Sequence, residues 1–291
     1  MKRHLGIYLR GMAMGIADLI PGVSGGTIAL ITGIYDPFIG SISSIKFGLI
    51  KTLKNQGIKG VWEEVNGAFL VALFAGIATS LFTFSTVLHQ LLEHHPSNLF
   101  AFFFGLIAAS VPIIWREVTH WKVHAIAIFL VGVAITFSIS LLPPASSDLS
   151  PMYLFVCGCL AACAMILPGI SGSFILLLLG VYSSIIQAIK DFELSILIVT
   201  GLGVVVGLLG FSKGLKSLLS KHRNPMMALL VGLLFGSLNA VWPWKEETAE
   251  VWLQANILPN FESLAWPIVW AVIGFFIVFL LDRWTKDRIT S

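Results

Sequence analysis

Residues 21–25 read Pro-Gly-Val-Ser-Gly, and residues 168–172 read Pro-Gly-Ile-Ser-Gly, 147 positions further along a chain of 291 residues. Aligned without a gap, residues 17–42 and 164–189 share eleven identities in twenty-six positions. Both copies lie in strongly apolar sequence, where a helix-breaking motif needs a specific role to persist. Broken apolar segments at matching places in two halves of a chain are typical of transporter binding sites.

The composition predicts the broad class of protein. Hydrophobic residues make up 57% of the chain and charged residues only 11%, whereas soluble domains carry about 25% charged residues. Such a chain cannot cover itself with a water-facing surface, so we expect an integral membrane protein. The formal net charge is only +3, and we expect no nucleic-acid partner, no cofactor and no metal site.

Six apolar stretches have about the twenty residues that a bilayer-spanning helix needs. The two motif regions are longer and are interrupted in the middle. We predict an all-α polytopic membrane protein made of two repeats, each with one broken-helix hairpin and three transmembrane helices. The first repeat covers residues 1–145 (hairpin 7–45, spans 66–88, 98–115 and 123–142), and the second covers residues 146–291 (hairpin 152–189, spans 195–212, 225–243 and 264–282).

The positive charges predict the topology. If each motif region enters and leaves on one side and the N-terminus is cytoplasmic, sixteen of the eighteen Lys and Arg residues are cytoplasmic. Only Lys190 and Lys245 then lie outside, in agreement with the positive-inside rule. Both termini are therefore predicted to be cytoplasmic. Two re-entrant half-helices and a pair of full spans both return the chain to the side from which it entered. The charges therefore do not decide between these two forms of the hairpin.

This topology inverts the second half relative to the first, because three full spans separate the motif regions. The two halves are then inverted-topology repeats, and the tips of their hairpins should meet near the midplane. The second part of each half shows a weaker sequence similarity, in which Gly105 to Pro112 resembles Gly236 to Pro243.

The tips carry the residue types of an anion site. A half-helix that starts after Ser24 or Ser171 would aim free N–H groups and a positive dipole end at the tip, an arrangement suited to phosphate. Glycines allow the backbone to approach a ligand closely, and hydroxyls add donors. The predicted phosphate-binding residues are Arg10, Pro21, Gly22, Ser24, Gly25, Gly26, Thr27, Pro168, Gly169, Ser171, Gly172 and Ser173.

The two copies differ where charge matters, because the position of Asp18 is Met165 in the second copy and that of Arg10 is Cys157. An ionisable residue within a membrane segment is a functional candidate. Asp18 is the candidate for coupling, by taking up H⁺ or holding a cation such as Na⁺. Its alternative roles are capping a half-helix or pairing with Arg10. Arg10 in turn either reaches the cytoplasmic headgroups or receives an anionic substrate.

Residues 14–27 and the second copy at 167–173 resemble the bacterial polyprenyl-phosphate transporter family. The likeness covers almost the whole chain, and the second motif is looser at its end, with Phe174 in the position of Thr27. The resemblance implies transport of undecaprenyl phosphate across the bacterial cytoplasmic membrane. The lipid carrier would return to the cytoplasmic leaflet for the synthesis of cell-envelope polymers.

The residues and the resemblance suggest a common mechanism. The phosphate would rest at the tips while the polyprenyl tail leaves through a lipid-facing cleft near Phe102, Phe103 and Phe104. One repeat would rock against the other. The rival functions are a transporter or channel for a small soluble ion, an intramembrane lipid-phosphate phosphatase and a structural scaffold. We expect no enzymatic activity, and the oligomeric state, a homo-oligomer included, stays open.

Overall fold

The computed structural model describes residues 2–19, 23–46, 48–142, 149–246, 255–260 and 264–289. Within these ranges the regular elements are helices, apart from an isolated β-bridge between Lys245 and Asn256. The predicted all-α class is therefore confirmed. The helices are α1 Lys2–Asp18, α2 Gly25–Ile31, α3 Tyr35–Ser43, α4 Leu49–Glu64, α5 Gly67–His94, α6 Pro96–Trp115, α7 Val123–Ile139, α8 Pro151–Ile166, α9 Gly172–Leu178, α10 Tyr182–Asp191, α11 Leu194–Lys221, α12 Arg223–Ser237 and α13 Ala265–Ile289.

Three helices among the described residues are long and apolar enough to cross a membrane: Gly67–Phe84 within α5, α6, and α11. They match the spans predicted near 66–88, 98–115 and 195–212. Apolar helices of ten to seventeen residues form at Val123–Ile139, Pro151–Ile166 and Ala265–Leu280. The several apolar helices agree with the membrane class that the composition predicts.

Two boundaries differ from the prediction. The span expected at 225–243 ends as a helix at Ser237, because residues 238–241 form turns and Pro243 cannot continue a helix. The stretch between the predicted hairpin at 7–45 and the predicted span at 66–88 is not a simple loop, because it contains α4. Its alternation of apolar and basic residues is too polar for a span but sufficient for a surface helix.

Each motif region folds as one long helix, a break and two short helices rather than as two half-helices. α1 precedes α2 and α3, and α8 precedes α9 and α10 in the same order. The two short helices of the second copy meet at an angle of 112°. α2 and α9 have seven residues each, so neither could cross a bilayer by itself.

Another identical pair in the repeat, Gly33 and Gly180, makes the turn between the short helices. Both glycines have φ of +71°, a left-handed conformation in which a side chain is strained. The amide of Ile34 donates to the carbonyl oxygen of Ala29 at 2.9 Å, and the amide of Val181 donates to Leu176 at 3.1 Å. These are the bonds of a glycine-terminated helix end.

Replacing Gly33 with alanine is expected to lower the free energy of unfolding by about 1–2 kcal/mol, the cost of the left-handed conformation for an L residue. The measurement is unfolding in mixed micelles of detergent and dodecyl sulfate. Gly201→Ala is the control, because Gly201 lies inside α11 with nothing within 4 Å of an added Cβ. Equal stability of the two variants would contradict the role of Gly33.

Four helix pairs form most of the packing: α1 with α5, α8 with α11, α6 with α13, and α7 with α12. Gly11 lies against the backbone of Leu73, and Gly15, four residues later, lies against Ile77. α1 and α5 therefore run parallel. Small residues allow such close approach of helix backbones.

Side chains tie the helix ends together at opposite ends of the bundle. At one end, called the Arg223 end, the Asn224 Oδ1 atom accepts hydrogen bonds from the Thr119 hydroxyl at 2.9 Å and the His120 amide at 3.1 Å. At the other end, called the Asn239 end, the Asn239 amide donates to the Ser140 hydroxyl at 2.7 Å. α6 thus ends where α12 begins, and α7 ends where α12 ends.

Candidate functional site

The break after α1 brings Asp18 to the first turn of α2. Asp18 is the last residue of α1, and its Oδ1 atom accepts a hydrogen bond from the Gly25 amide at 2.7 Å. A Cβ atom on Gly25 would collide with this carboxylate. The prediction that free N–H groups await a ligand here is therefore wrong for Gly25, because a side chain of the same chain already holds the donor. Capping, one of the alternatives for Asp18, is what the structure contains.

Ser24 starts α2 as predicted. Its backbone is extended (φ −121°, ψ 131°), and its hydroxyl accepts a hydrogen bond from the Gly26 amide at 3.1 Å. Serine is among the preferred residues at this position because its oxygen satisfies one of the free amides of the first turn. Ser171 starts α9 in the same way and accepts a longer bond of 3.5 Å from the Phe174 amide.

The two tips touch each other. The Ser24 hydroxyl donates to the carbonyl oxygen of Leu167 at 3.0 Å, and the Gly169 amide donates to the Thr27 hydroxyl at 3.0 Å. A Cβ atom on Gly26 would lie 2.6 Å from the carbonyl oxygen of Ile166. The prediction that the tips meet is confirmed, and Ser24, Gly26 and Thr27 form the joint with the second copy.

The second tip is closed in a different way. The Ser171 and Ser173 hydroxyls lie 2.8 Å apart. Gly169 has φ of +87°, and a Cβ atom on it would lie 2.6 Å from the carbonyl oxygen of Leu233 in α12. A Cβ atom on Gly172 would meet Met165, the residue that corresponds to Asp18. This tip therefore packs against its own half as well as against the first tip.

The remaining predicted site residues differ in their position: Pro168 is next to the joint, and Arg10 lies earlier in α1. Pro168 is buried in the turn before Gly169. Arg10 is half-buried in α1, eight residues before Asp18. Pro21 and Gly22 lie outside the described residues. The structure thus places Ser24, Gly26, Thr27 and Gly169 at the joint, and their assignment to phosphate binding stays a prediction.

An apolar cavity of about 250 Å³ begins at the Asn239 end and reaches Ile16, two residues before Asp18. Phe102 and Phe103 line it, as predicted, whereas Phe104 packs edge-on against Trp242 with ring centroids 5.6 Å apart. The sequence does not indicate the other lining residues of the cavity, which come from α1, α5, α6, α13 and the turn between α5 and α6. They are Ile16, Leu91, His95, Asn98, Leu99 and Trp270.

The loop beside this cavity carries a cation. Lys245 lies over the ring of Phe100, 5.5 Å from its centroid, and its Nζ atom is 3.1 Å from Asn256 Oδ1. Burial lowers the pKa of Lys245 to about 8. The Asn239 end therefore combines an apolar entrance with a basic group.

A second cavity of about 290 Å³ lies at the Arg223 end and is charged. Its Arg223 side chain pairs with Asp36 of α3 at 2.9 Å and with Glu117 at 3.7 Å. The pairs join the two halves of the chain at this end. Asp36 and Glu117 lie 187 and 106 positions from Arg223 in the sequence. Their spacing therefore does not indicate that the three charged side chains form a cluster.

The chain is similar to known proteins over most of its length. Residues 14–257 match the model of the VCA0040-like family, described as undecaprenyl phosphate translocase-like. A polyprenyl-phosphate transporter of Vibrio cholerae serotype O1 is 43% identical over 273 residues, which cover 90% of this chain and 88% of the relative. A polyprenyl-phosphate transporter of Staphylococcus aureus is 35% identical over 299 residues, with 96% of each chain covered. No solved structure matches the chain.

Proposed function

Because the chain belongs to the VCA0040-like, undecaprenyl phosphate translocase-like family, we propose that it transports polyprenyl phosphate across the bacterial cytoplasmic membrane and returns the carrier to the cytoplasmic leaflet. Both relatives are named polyprenyl-phosphate transporters. The observation that carries the proposal is the joint of the two tips, because the motif behind the family likeness forms that joint in both copies. We infer transport without enzymatic turnover of the lipid.

The proposed architecture is a pair of inverted repeats, residues 1–145 and 146–291. The helix pair α1 and α5 is repeated by α8 and α11 at equivalent glycines, since Gly11 faces Leu73 and Gly158 faces Thr200. The pair α6 and α13 is repeated by α12 and α7. In this register Gly105, which faces Ala271, corresponds to Gly232 rather than to Gly236, because Gly232 faces Phe129 in the same manner.

The proposed topology has cytoplasmic termini and motif regions that return to the side they entered. The parallel course of α1 and α5 supports it, because two parallel helices start on the same side, so the chain between them must return to the side on which α1 began. α1 is about 25 Å long, and α2 and α3 together lead the chain back. We therefore favour the re-entrant form, with the Arg223 end on the cytoplasmic side and the Asn239 end outside.

The phosphate is proposed to bind at the joint of the tips, beside Asp18. The carboxylate of Asp18 accepts the hydrogen bond of the Gly25 amide. A phosphate could accept the same hydrogen bond equally well. Two negative charges at one place repel each other strongly in a medium of low dielectric constant. Arrival of the phosphate would therefore require Asp18 to move away or to be neutralised by H⁺ or Na⁺. This competition would couple ion uptake to substrate binding.

The tail of the lipid is proposed to occupy the apolar cavity. The cavity opens at the Asn239 end and ends at Ile16, close to Asp18, so a lipid could place its tail there with its headgroup beside the first tip. Lipid tails need no specific polar partners, and the aromatic lining from Phe102, Phe103 and Trp270 supplies apolar contact area.

Ser24→Ala tests the site. The substitution removes the cap of α2, which typically contributes about 1 kcal/mol, and also the bond to Leu167. We expect uptake of labelled polyprenyl phosphate by reconstituted vesicles to be abolished. Ser220→Ala is the control, because the Ser220 hydroxyl donates to the carbonyl oxygen of Ser217 in its own helix, on an exposed surface. Normal uptake by Ser24→Ala would contradict the assignment.

Competition experiments separate the proposed substrate from a small soluble anion. Unlabelled polyprenyl phosphate should compete with the labelled lipid, and inorganic phosphate at the same concentration should not. Equal inhibition by inorganic phosphate would favour the soluble-ion alternative.

A further inference from the structure

The connection between the short helices and the next long helix differs between the two motif regions. Phe192 and Glu193 alone join α10 to α11, whereas residues 44–66 join α3 to α5 and include α4. α4 therefore has no counterpart in the connection between α10 and α11. If the halves are inverted, a counterpart of α4 in the second half would lie on the opposite face of the membrane. Because the connection in the first half alone carries this segment, it marks one face of the membrane.

α4 is folded back on itself. Gly57 has φ of +67° and interrupts the helix. The Thr52 hydroxyl donates to Glu64 Oε2 at 2.6 Å, and Lys46 Nζ lies 3.3 Å from Glu64 Oε1. The Thr52 hydroxyl and the Lys46 ammonium group hold the pKa of Glu64 below its ordinary value. The two arms, residues 49–56 and 58–64, are thus fastened side by side as one unit.

The apolar side chains of this unit are uncovered. Ile58 is 79% exposed, Ile50 is 58% exposed, and Leu53 and Trp62 are each 47% exposed. Four exposed large apolar residues within one short segment are more than a water-facing surface tolerates, and they mark an interaction surface.

Basic residues flank the apolar side chains of the same unit. At 100° per residue, Lys51 and Lys54 are centred about 100° around the first arm from Ile50 and Leu53, whereas Asn55 lies opposite that pair. Lys59 is exposed on the second arm. Exposed apolar residues that include a tryptophan and are flanked by lysines are the pattern of a segment that lies in the plane of a membrane interface.

We propose that α4 lies in the headgroup layer of the cytoplasmic leaflet and binds anionic phospholipids there. Its apolar residues reach the acyl boundary, and Lys51, Lys54 and Lys59 contact the lipid phosphates. Charge complementarity selects this occupant, because the cytoplasmic leaflet carries anionic lipids that attract basic segments beside a span. α4 is such a segment, since α5 follows it after two residues. The inference depends on the proposed topology only for the choice of leaflet.

The test measures the depth of α4 in the full-length protein. Cys157, Cys159 and Cys163 are replaced with alanine, and a single cysteine for a spin label is placed at Ile58 or at Asn55 on the polar face. The protein is reconstituted into nanodiscs of zwitterionic lipid alone or with added anionic phospholipid. The label's accessibility to oxygen, which dissolves in lipid, is compared with its accessibility to a neutral water-soluble nickel chelate.

In anionic nanodiscs we expect at least a threefold higher ratio of oxygen to nickel accessibility at position 58 than at position 55. The ratio at position 58 should fall in zwitterionic nanodiscs. Substituting glutamine for Lys51, Lys54 and Lys59 should remove this lipid dependence, whereas the same change at the exposed residues Lys213, Lys216 and Lys221 should not.

Equal ratios at positions 58 and 55, or a ratio at 58 that does not respond to anionic lipid, would overturn the proposal. In intact cells, an impermeant thiol reagent should label the cysteine at position 55 only after permeabilisation. Labelling of intact cells would overturn the choice of leaflet. None of these measurements involves transport, so a failed uptake assay and a failed depth measurement remain separate results.

Discussion

Asp18→Asn should abolish uptake of polyprenyl phosphate while leaving the protein folded. The asparagine oxygen can still accept the hydrogen bond from the Gly25 amide, because asparagine is as good a helix cap as aspartate. The variant therefore removes the charge and keeps the cap. If the charge of Asp18 drives the competition with the phosphate, its loss uncouples ion uptake from substrate binding.

The measurement is a leaflet-resolved flip assay in proteoliposomes with an imposed pH or Na⁺ gradient. Under either gradient, uptake by Asp18→Asn should fall to the level of vesicles without protein. Asp18→Ala, which removes both charge and cap, should also lower the melting temperature. Wild-type uptake by Asp18→Asn under both gradients would leave Asp18 with a capping role alone.

Several features of the fold could be predicted because they depend on local chemistry. Ser24 and Ser171 were expected to start half-helices, and both do so through the hydrogen bonds of a helix cap. The doubled break also implied that two tips meet, since irregular backbone at membrane depth must be buried in protein. Composition and periodicity sufficed for the three long apolar helices.

Other features depend on residues that are far apart in the sequence. Asp18 can accept the hydrogen bond of the Gly25 amide because the chain turns back within seven residues. The spacing of the two residues is equally compatible with a Gly25 amide that is free to bind a ligand. The apolar cavity combines Ile16 of α1 with Trp270 of α13, which no local pattern connects. Hydropathy does not indicate α4, because a stretch with this many lysines is too polar for a bilayer-spanning segment.

Gly26→Ala is expected to have the second large effect, on both stability and uptake. A Cβ atom at Gly26 would lie 2.6 Å from the carbonyl oxygen of Ile166 and 3.1 Å from that of Met165. Both neighbours are backbone atoms, so the clash can be relieved only by moving the two tips apart. That movement would lengthen the bonds from Ser24 to Leu167 and from Gly169 to Thr27, which hold the tips together.

The sign of the change in unfolding free energy distinguishes a steric clash at the joint from an effect of helix propensity. Alanine in place of a helical glycine normally stabilises by about 1 kcal/mol, and Gly40→Ala in α3, where nothing lies within 4 Å of an added Cβ, should do so. Overpacking at Gly26 should instead destabilise by about 1–3 kcal/mol, measured by unfolding in mixed micelles, and uptake should be lost. If Gly26→Ala raised stability as Gly40→Ala does, the tips would have room between them. The joint would then not be the tight contact that holds the two halves together.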